Sequence, residues 1–303
     1  MKYRKNHLDG LAIGLLLCCF AFWGFQQVLV KATLGEVAPV FQAALRLVGA
    51  AVLLLLWCRY RGIGLWQADG SLRAGLLAGA LFALEFVFLF VGLQYTSASR
   101  LTLFLYTSPL WVALTLHFLV PAERLRPLQW AGLVCAFLGV AWALKAPADT
   151  QYPQQWLGDG MGLLAGLLWG LTTVVIRASS LTRIAPEKLL FYQLGVSSLL
   201  LPCISWGLNE SWSLHLSVFA WGSLVLQAVV GAFLSYLVWM WILGRYPATK
   251  VSVFTFLTPV FALIAGALWL GEPVSPALVG ALLVVGLGIG LVNWRKGSGT
   301  AIK

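Results

Sequence analysis

Charge is what this chain lacks. Only 10% of its 303 residues are Asp, Glu, Lys or Arg, against roughly a quarter in an ordinary soluble domain. That scarcity excludes a disordered chain, which needs charge to stay solvated. It also excludes a nucleic-acid-binding domain, which needs a basic face. Histidine is scarce too, with three residues, and the five cysteines are an odd number without metal-ligand spacing. His7, His117 and His215 are scattered, so neither a zinc site nor a Ser-His triad assembles. HExxH, GxSxG and GxxxxGK are all missing. No metal, cofactor or enzymatic activity is expected.

What is abundant is apolar: 60% of the chain, at a mean hydropathy of +0.89. A helix crosses roughly 30 Å of hydrocarbon with about 20 such residues. Ten stretches qualify: Leu11 to Val30, Pro39 to Trp57, Gly75 to Leu93, Leu101 to Leu119, Pro127 to Leu144, Leu157 to Ile176, Leu189 to Leu208, Ala220 to Leu243, Val251 to Leu270 and Pro276 to Asn293. The expected fold is an all-α polytopic membrane protein. With a cytoplasmic amino terminus, sixteen of the twenty cations fall in inside segments. Lys31, Arg100 and Lys145 fall outside, and Arg46 lies within a span. The positive-inside rule therefore places both termini in the cytoplasm of an inner (cell) membrane. The net charge of +10 then orients helices in a lipid bilayer and calls for no nucleic acid. Gln26 and Gln27 stand where a signal peptide would carry small residues, so the first span is read as retained.

The chain also aligns with itself. Trp23-Gly24 and Lys31 recur as Trp169-Gly170 and Arg177. Ala98, Arg100 and Pro109 recur as Ala248, Lys250 and Pro259, and Glu123 with Pro127 recurs as Glu272 with Pro276. The expected units are residues 11–144 and 157–293, joined by an external loop at 145–156. Five spans per unit is an odd number, so the second unit enters from the opposite side, giving an inverted repeat of the kind transporters use. WG followed by Lys31, Arg46 in the second span, YTSP at Tyr106 to Pro109, AERLRPLQWAG at Ala122 to Gly132 and LGEPVSP at Leu270 to Pro276 together resemble the EamA family of the drug/metabolite transporter superfamily. The resemblance implies a secondary transporter, most often an exporter of amino acids or related small metabolites. Uptake, export of drugs or cations, and a membrane-embedded binding or signalling protein are the alternatives. The expected partners are a small-molecule substrate and protons as coupling ion, in a monomer or homodimer.

Candidate functional residues follow from the cost of polarity at mid-membrane, about 2.5 to 3.5 kcal/mol for a charged side chain. Arg46 and Glu85 both lie roughly 10 to 12 Å below the outer surface. Two readings stand. Either they pair and lock two helices together, or Glu85 carries the coupling proton or holds a substrate amine while Arg46 supports packing. Their repeat equivalents, Gln193 and Ser235, are neutral. Trp23, Gln27 and Lys31 share one helical face, and Trp169, Thr173 and Arg177 repeat it. The tryptophans, Gln27 and Thr173 either line a central cavity or simply pack, with Lys31 and Arg177 snorkelling to opposite interfaces. Tyr106, Tyr236 and Trp239 are candidate site aromatics. Pro109 and Pro259 interrupt matching spans and are candidate hinges. Gly75 with Gly79, and Gly162 with Gly166 and Gly170, suit close helix contact. Glu123 and Glu272 are read as caps of the fifth and tenth spans.

Overall fold

A computed structural model describes residues 9–119, 124–145, 151–246 and 255–292. Among them there are helices and turns and no strand. The helices are α1 (Gly10–Thr33), α2 (Pro39–Tyr60), α3 (Leu72–Gly92), α4 (Ala98–Leu105), α5 (Ser108–Leu119), α6 (Pro127–Lys145), α7 (Gln155–Ala178), α8 (Pro186–Gly207), α9 (Val218–Leu226), a π-helical stretch (Gln227–Leu234), α10 (Ser235–Arg245), α11 (Leu257–Leu270) and α12 (Pro276–Val292). Eight spans are long and apolar enough to cross a membrane, α4 with α5 and α9 through the π stretch each counting as one; α11 and α12 are shorter apolar helices. The ten expected stretches therefore all fall on helix, though residues 251–254 and Asn293 lie outside the described residues.

Local chemistry sets the starts. Asp9 Oδ1 accepts from Ala12 N at 2.9 Å and caps α1, while Pro39 and Pro186 occupy the first turns of α2 and α8, where a missing N–H costs nothing. The fourth span begins earlier than expected, at Ala98, because Ser97 Oγ accepts from Arg100 N at 3.2 Å. It is then broken at Tyr106 and Thr107, just before Pro109, which has no N–H to offer the Leu105 carbonyl. Thr107 Oγ1 donates to the Phe104 carbonyl at 2.6 Å across the break. In the ninth span a turn at Phe256 precedes Pro259 in the same way.

The helices pack most extensively as α6 with α12, α3 with α7, α2 with α8 and α1 with α11. Glycine makes several of these approaches possible. A Cβ on Gly24 would sit 2.7 Å from Ala262 N and 2.8 Å from Thr258 O on α11, and one on Gly170 would sit 2.9 Å from Trp111 Cβ on α5. Many large apolar side chains remain exposed, among them Leu199, Leu268 and Leu283. That pattern suits lipid and not water.

Candidate functional site

Arg46, Glu85, Tyr236 and Tyr106, from different spans, are electrostatic neighbours inside the bundle. Arg46 on α2 is 1% exposed and Glu85 on α3 is 5% exposed, yet they form no ion pair within 4 Å. Glu85 Oε2 and the Nε and Nη1 of Arg46 have no hydrogen-bond partner. Of the two readings left open by the sequence, the direct Arg46–Glu85 pair is not the arrangement in this structure. The Arg46 guanidinium lies 4.9 Å from the centre of the Phe86 ring and 5.9 Å from that of Phe90. Tyr236 on α10 and Glu85 are its electrostatic neighbours, and Tyr106, at the break in the fourth span, interacts with both of these and lies beside Thr258. Thr258 Oγ1 is buried and unpartnered, as are the side-chain carbonyls of Gln26 and Gln27. Around Arg46 and Glu85 the bundle thus holds one cation and one carboxyl with unpartnered atoms, in a setting where each unsatisfied polar group costs free energy.

The expected aromatics pack against Tyr106 and Tyr236 or one another. Trp23 meets Tyr236 and Trp239 edge-on, at centroid distances of 5.8 Å each, and Phe20 at 5.3 Å. Trp169 is edge-on to Tyr106 at 5.2 Å. Trp23 Nε1 donates to Ser235 Oγ at 2.7 Å, and Ser235 Oγ donates to the Gly231 carbonyl at 2.6 Å. This anchors α1 to the π-helical stretch, a feature sequence reasoning did not find because π geometry has no residue signature. The Thr173 hydroxyl donates to the Trp169 carbonyl one turn back, at 3.1 Å. Gln27 is buried at 4% exposed.

The ends of the helices hold a second polar system, at the side expected to be external. Glu210 accepts from Val40 N at 3.0 Å and Phe41 N at 2.8 Å, capping α2. Glu36 accepts from Ser217 N and Oγ, both at 2.8 Å, at the start of α9. Glu272 accepts from Ala98 N and Ser99 Oγ, both at 2.6 Å, and from Ser99 N at 3.2 Å. Glu272 therefore caps α4 and not the tenth span, whose α12 is capped by Ser275 Oγ accepting from Leu278 N at 3.1 Å. Its repeat equivalent Glu123 lies outside the described residues. Arg100, expected as an external loop cation, is 5% exposed and forms an ion pair with Asp159 on α7 at 2.8 Å. Lys31, expected to snorkel, donates to the Leu93 carbonyl at 3.0 Å and to the Thr96 carbonyl. The reason is common to all three: helix ends buried among neighbours leave orphan N–H and C=O groups, and the nearest charges satisfy them. Nothing in the sequence pattern singled out Asp159, Glu36 or Glu210, because their partners lie on other helices. At the opposite end Lys188 pairs with Asp69 at 2.8 Å. The hydrogen bonds from Lys188 and Ser71 hold the Asp69 carboxyl down at about 2.

Among the described residues no three His, Cys, Asp or Glu side chains come together as metal ligands. The EamA-like transporter family matches residues 10–145 and 156–294. The chain is 28% identical to an uncharacterized transporter of Synechocystis sp., covering 97% of this chain and 92% of that one. It is 31% identical to a chloroplastic WAT1-related protein of Arabidopsis thaliana, covering 94% and 70%, and 25% identical to a probable amino-acid metabolite efflux pump of Escherichia coli, covering 93% and 96%. A crystal structure 20% identical in sequence superposes with a TM-score of 0.65 over 92% of this chain and 96% of the other, so the fold is shared. With nearly the whole length matched in two copies by one family, and a bundle of apolar helices to carry it, the chain belongs to the EamA-like transporter family and is a multi-pass membrane transporter, not an enzyme.

Proposed function

We propose that this transporter is a secondary exporter of amino acids or related small metabolites, working by alternating access between two inverted five-helix halves in the cell membrane, with both termini cytoplasmic. The observation that carries the reading is the group of buried, unpartnered polar atoms on Arg46, Glu85 and Thr258, from α2, α3 and α11, linked through Tyr106 and Tyr236, with Trp23, Trp169 and Trp239 against those two tyrosines or one another. Buried polar atoms without protein partners are groups that a polar cargo can satisfy. The inverted repeat is supported by the packing. Exchanging the halves maps α2 with α8 and α6 with α12 onto themselves, and turns the contact of α1 with α11 into that of α7 with α5. The breaks ahead of Pro109 and Pro259 recur at the matched spans, as hinges would. The amino-acid assignment draws on the efflux pump among the relatives.

Glu85 is the coupling group, taking a proton when cargo leaves. The test is flux in sealed proteoliposomes, with and without a pH gradient, preceded by a thermal-shift screen against amino acids, sugars and cationic drugs. Glu85→Gln is expected to abolish the proton-coupled flux while the protein remains folded. Unchanged flux with unchanged pH dependence refutes the coupling role, and no flux of any screened compound refutes the export reading.

A further inference from the structure

We propose that Arg46 and Glu85 are the two poles of a clamp for a zwitterion: the guanidinium takes the ligand's carboxylate and Glu85 takes its ammonium, so that the transported molecule carries both groups. This rests on the reading of that group of buried polar atoms as the cargo site, and it assigns Arg46 a role as specificity-determining residue instead of a packing one.

The first support is a comparison inside the molecule. Where this protein uses charges to fasten helices, it brings them into contact: Arg100 with Asp159 and Lys188 with Asp69, each at 2.8 Å. Arg100 is further satisfied by the Ala143 carbonyl at 2.5 Å, and Asp159 by Thr96 Oγ1 at 3.1 Å. Arg46 and Glu85 are as deeply buried but have no such contact and keep unpartnered atoms. A buried cation and carboxyl held near one another but apart lack the compensation that a fastening pair has. A molecule bearing the complementary charges on adjacent atoms supplies it.

The second support is the shape of the arginine's surroundings. Phe86 and Phe90 present their rings to the guanidinium at 4.9 and 5.9 Å, and Nε and Nη1, whose N–H donors lie in the plane of the group, are left without hydrogen-bond partners. A planar carboxylate is the acceptor that such an in-plane fork matches. Tyr106 neighbours Glu85 and lies beside Thr258, whose buried Oγ1 offers a further acceptor for an ammonium, which has three donors to place. The rest of the ligand meets rings, with Phe82 edge-on to Phe86 at 4.9 Å and to Tyr236 at 6.3 Å. The cargo is thus an amino acid with an uncharged side chain. The polarity is one-sided, because the matching positions hold Gln193 and Ser235, and Ser235 is already engaged by Trp23. The carboxylate therefore faces α2 and the ammonium α3.

The test uses the full chain, purified in detergent, and two ligand series with constant side chains: leucine, 3-methylbutylamine and 4-methylpentanoate, and phenylalanine, phenethylamine and 3-phenylpropanoate. Binding is measured by calorimetry. At least one zwitterion is expected to bind tenfold or more tightly than both of its half-molecules. Arg46→Gln is expected to weaken that zwitterion to the level of the amine while leaving the amine unchanged, and Glu85→Gln to weaken it to the level of the acid. Arg46→Lys, which keeps the charge without the fork, covers the case in which Arg46→Gln does not fold, and is expected to lose at least fivefold for the zwitterion and nothing for the amine. An amine that binds as well as its zwitterion, or a zwitterion indifferent to both Arg46 variants, overturns the clamp. If none of the six binds while proteoliposome flux of another compound is found, the clamp fails and the transporter reading stands. If neither binding nor flux is found for anything screened, the cargo-site reading fails as well.

Discussion

The Arg100–Asp159 pair allows the cost of a buried charge to be worked through. Arg100 Nε lies 2.8 and 2.9 Å from the two Asp159 oxygens, and Nη2 lies 2.8 Å from Oδ2. At about 3 Å and an effective dielectric constant near 20, the Coulomb attraction is about 5 kcal/mol before desolvation is subtracted. Asp159→Ala leaves the guanidinium buried with only the Ala143 carbonyl, and Thr96 Oγ1 without its acceptor. The expected loss is therefore about 3 to 5 kcal/mol. Replacing both partners, as in Arg100→Met with Asp159→Ala, removes the stranded charge along with its partner. Only the Ala143 and Thr96 groups are then left short of a partner, at about 1 kcal/mol each. The double variant is thus expected to be more stable than Asp159→Ala alone, with a coupling energy of at least about 2 kcal/mol in the cycle. Unfolding in detergent micelles by added sodium dodecyl sulfate, followed by tryptophan fluorescence, reads all four proteins. An Asp159→Ala loss under about 1 kcal/mol, or strict additivity, refutes the view that this pair ties α4 to α7.

Three further outcomes are expected. Glu272→Ala removes the acceptor of three hydrogen bonds at the start of α4 and should cost about 1 to 2 kcal/mol, the upper range of a helix cap; Glu272→Gln should recover part of this, and equal stability of all three proteins by the same unfolding assay argues against the cap. A Cβ at Gly24 meets backbone on α11, so Gly24→Ala should lose about 1 to 3 kcal/mol, whereas Gly14→Ala, which meets nothing within 4 Å, should be neutral or slightly stabilising. The Asp69 carboxyl is held at about 2 by Lys188 and Ser71, below its ordinary value of about 4. Its contribution is present above pH 4 and lost as pH falls through 2. Wild type should therefore exceed Asp69→Asn in thermal stability at pH 5 and converge with it toward pH 2, and a constant difference across that range contradicts the linkage.

The parts of this protein that the sequence made legible are those governed by length and partition. Span positions follow from apolar runs, and the broken fourth and ninth spans follow from Pro109 and Pro259. The unreadable parts are those set by which helix end lies beside which acid. Glu272 precedes Pro276 in the chain, so a local cap was the natural expectation, but in three dimensions its carboxylate reaches the N–H groups of Ala98 and Ser99, some 170 residues away. Arg100 reads as a loop cation by position, and only the approach of α7, which the glycines at 158, 162 and 166 allow, brings Asp159 to it. Arg46 and Glu85 stand out in the sequence by the rarity of charge in a span, and both are buried. Their relation to each other is not legible there, because one residue of helical rotation, about 100°, decides whether two side chains at the same depth touch. Depth is a one-dimensional property that a sequence carries directly; contact depends on azimuth and neighbours. For this reason the sequence shows that Arg46 and Glu85 lie within spans, while the atoms they leave unpartnered are visible only in the packed structure.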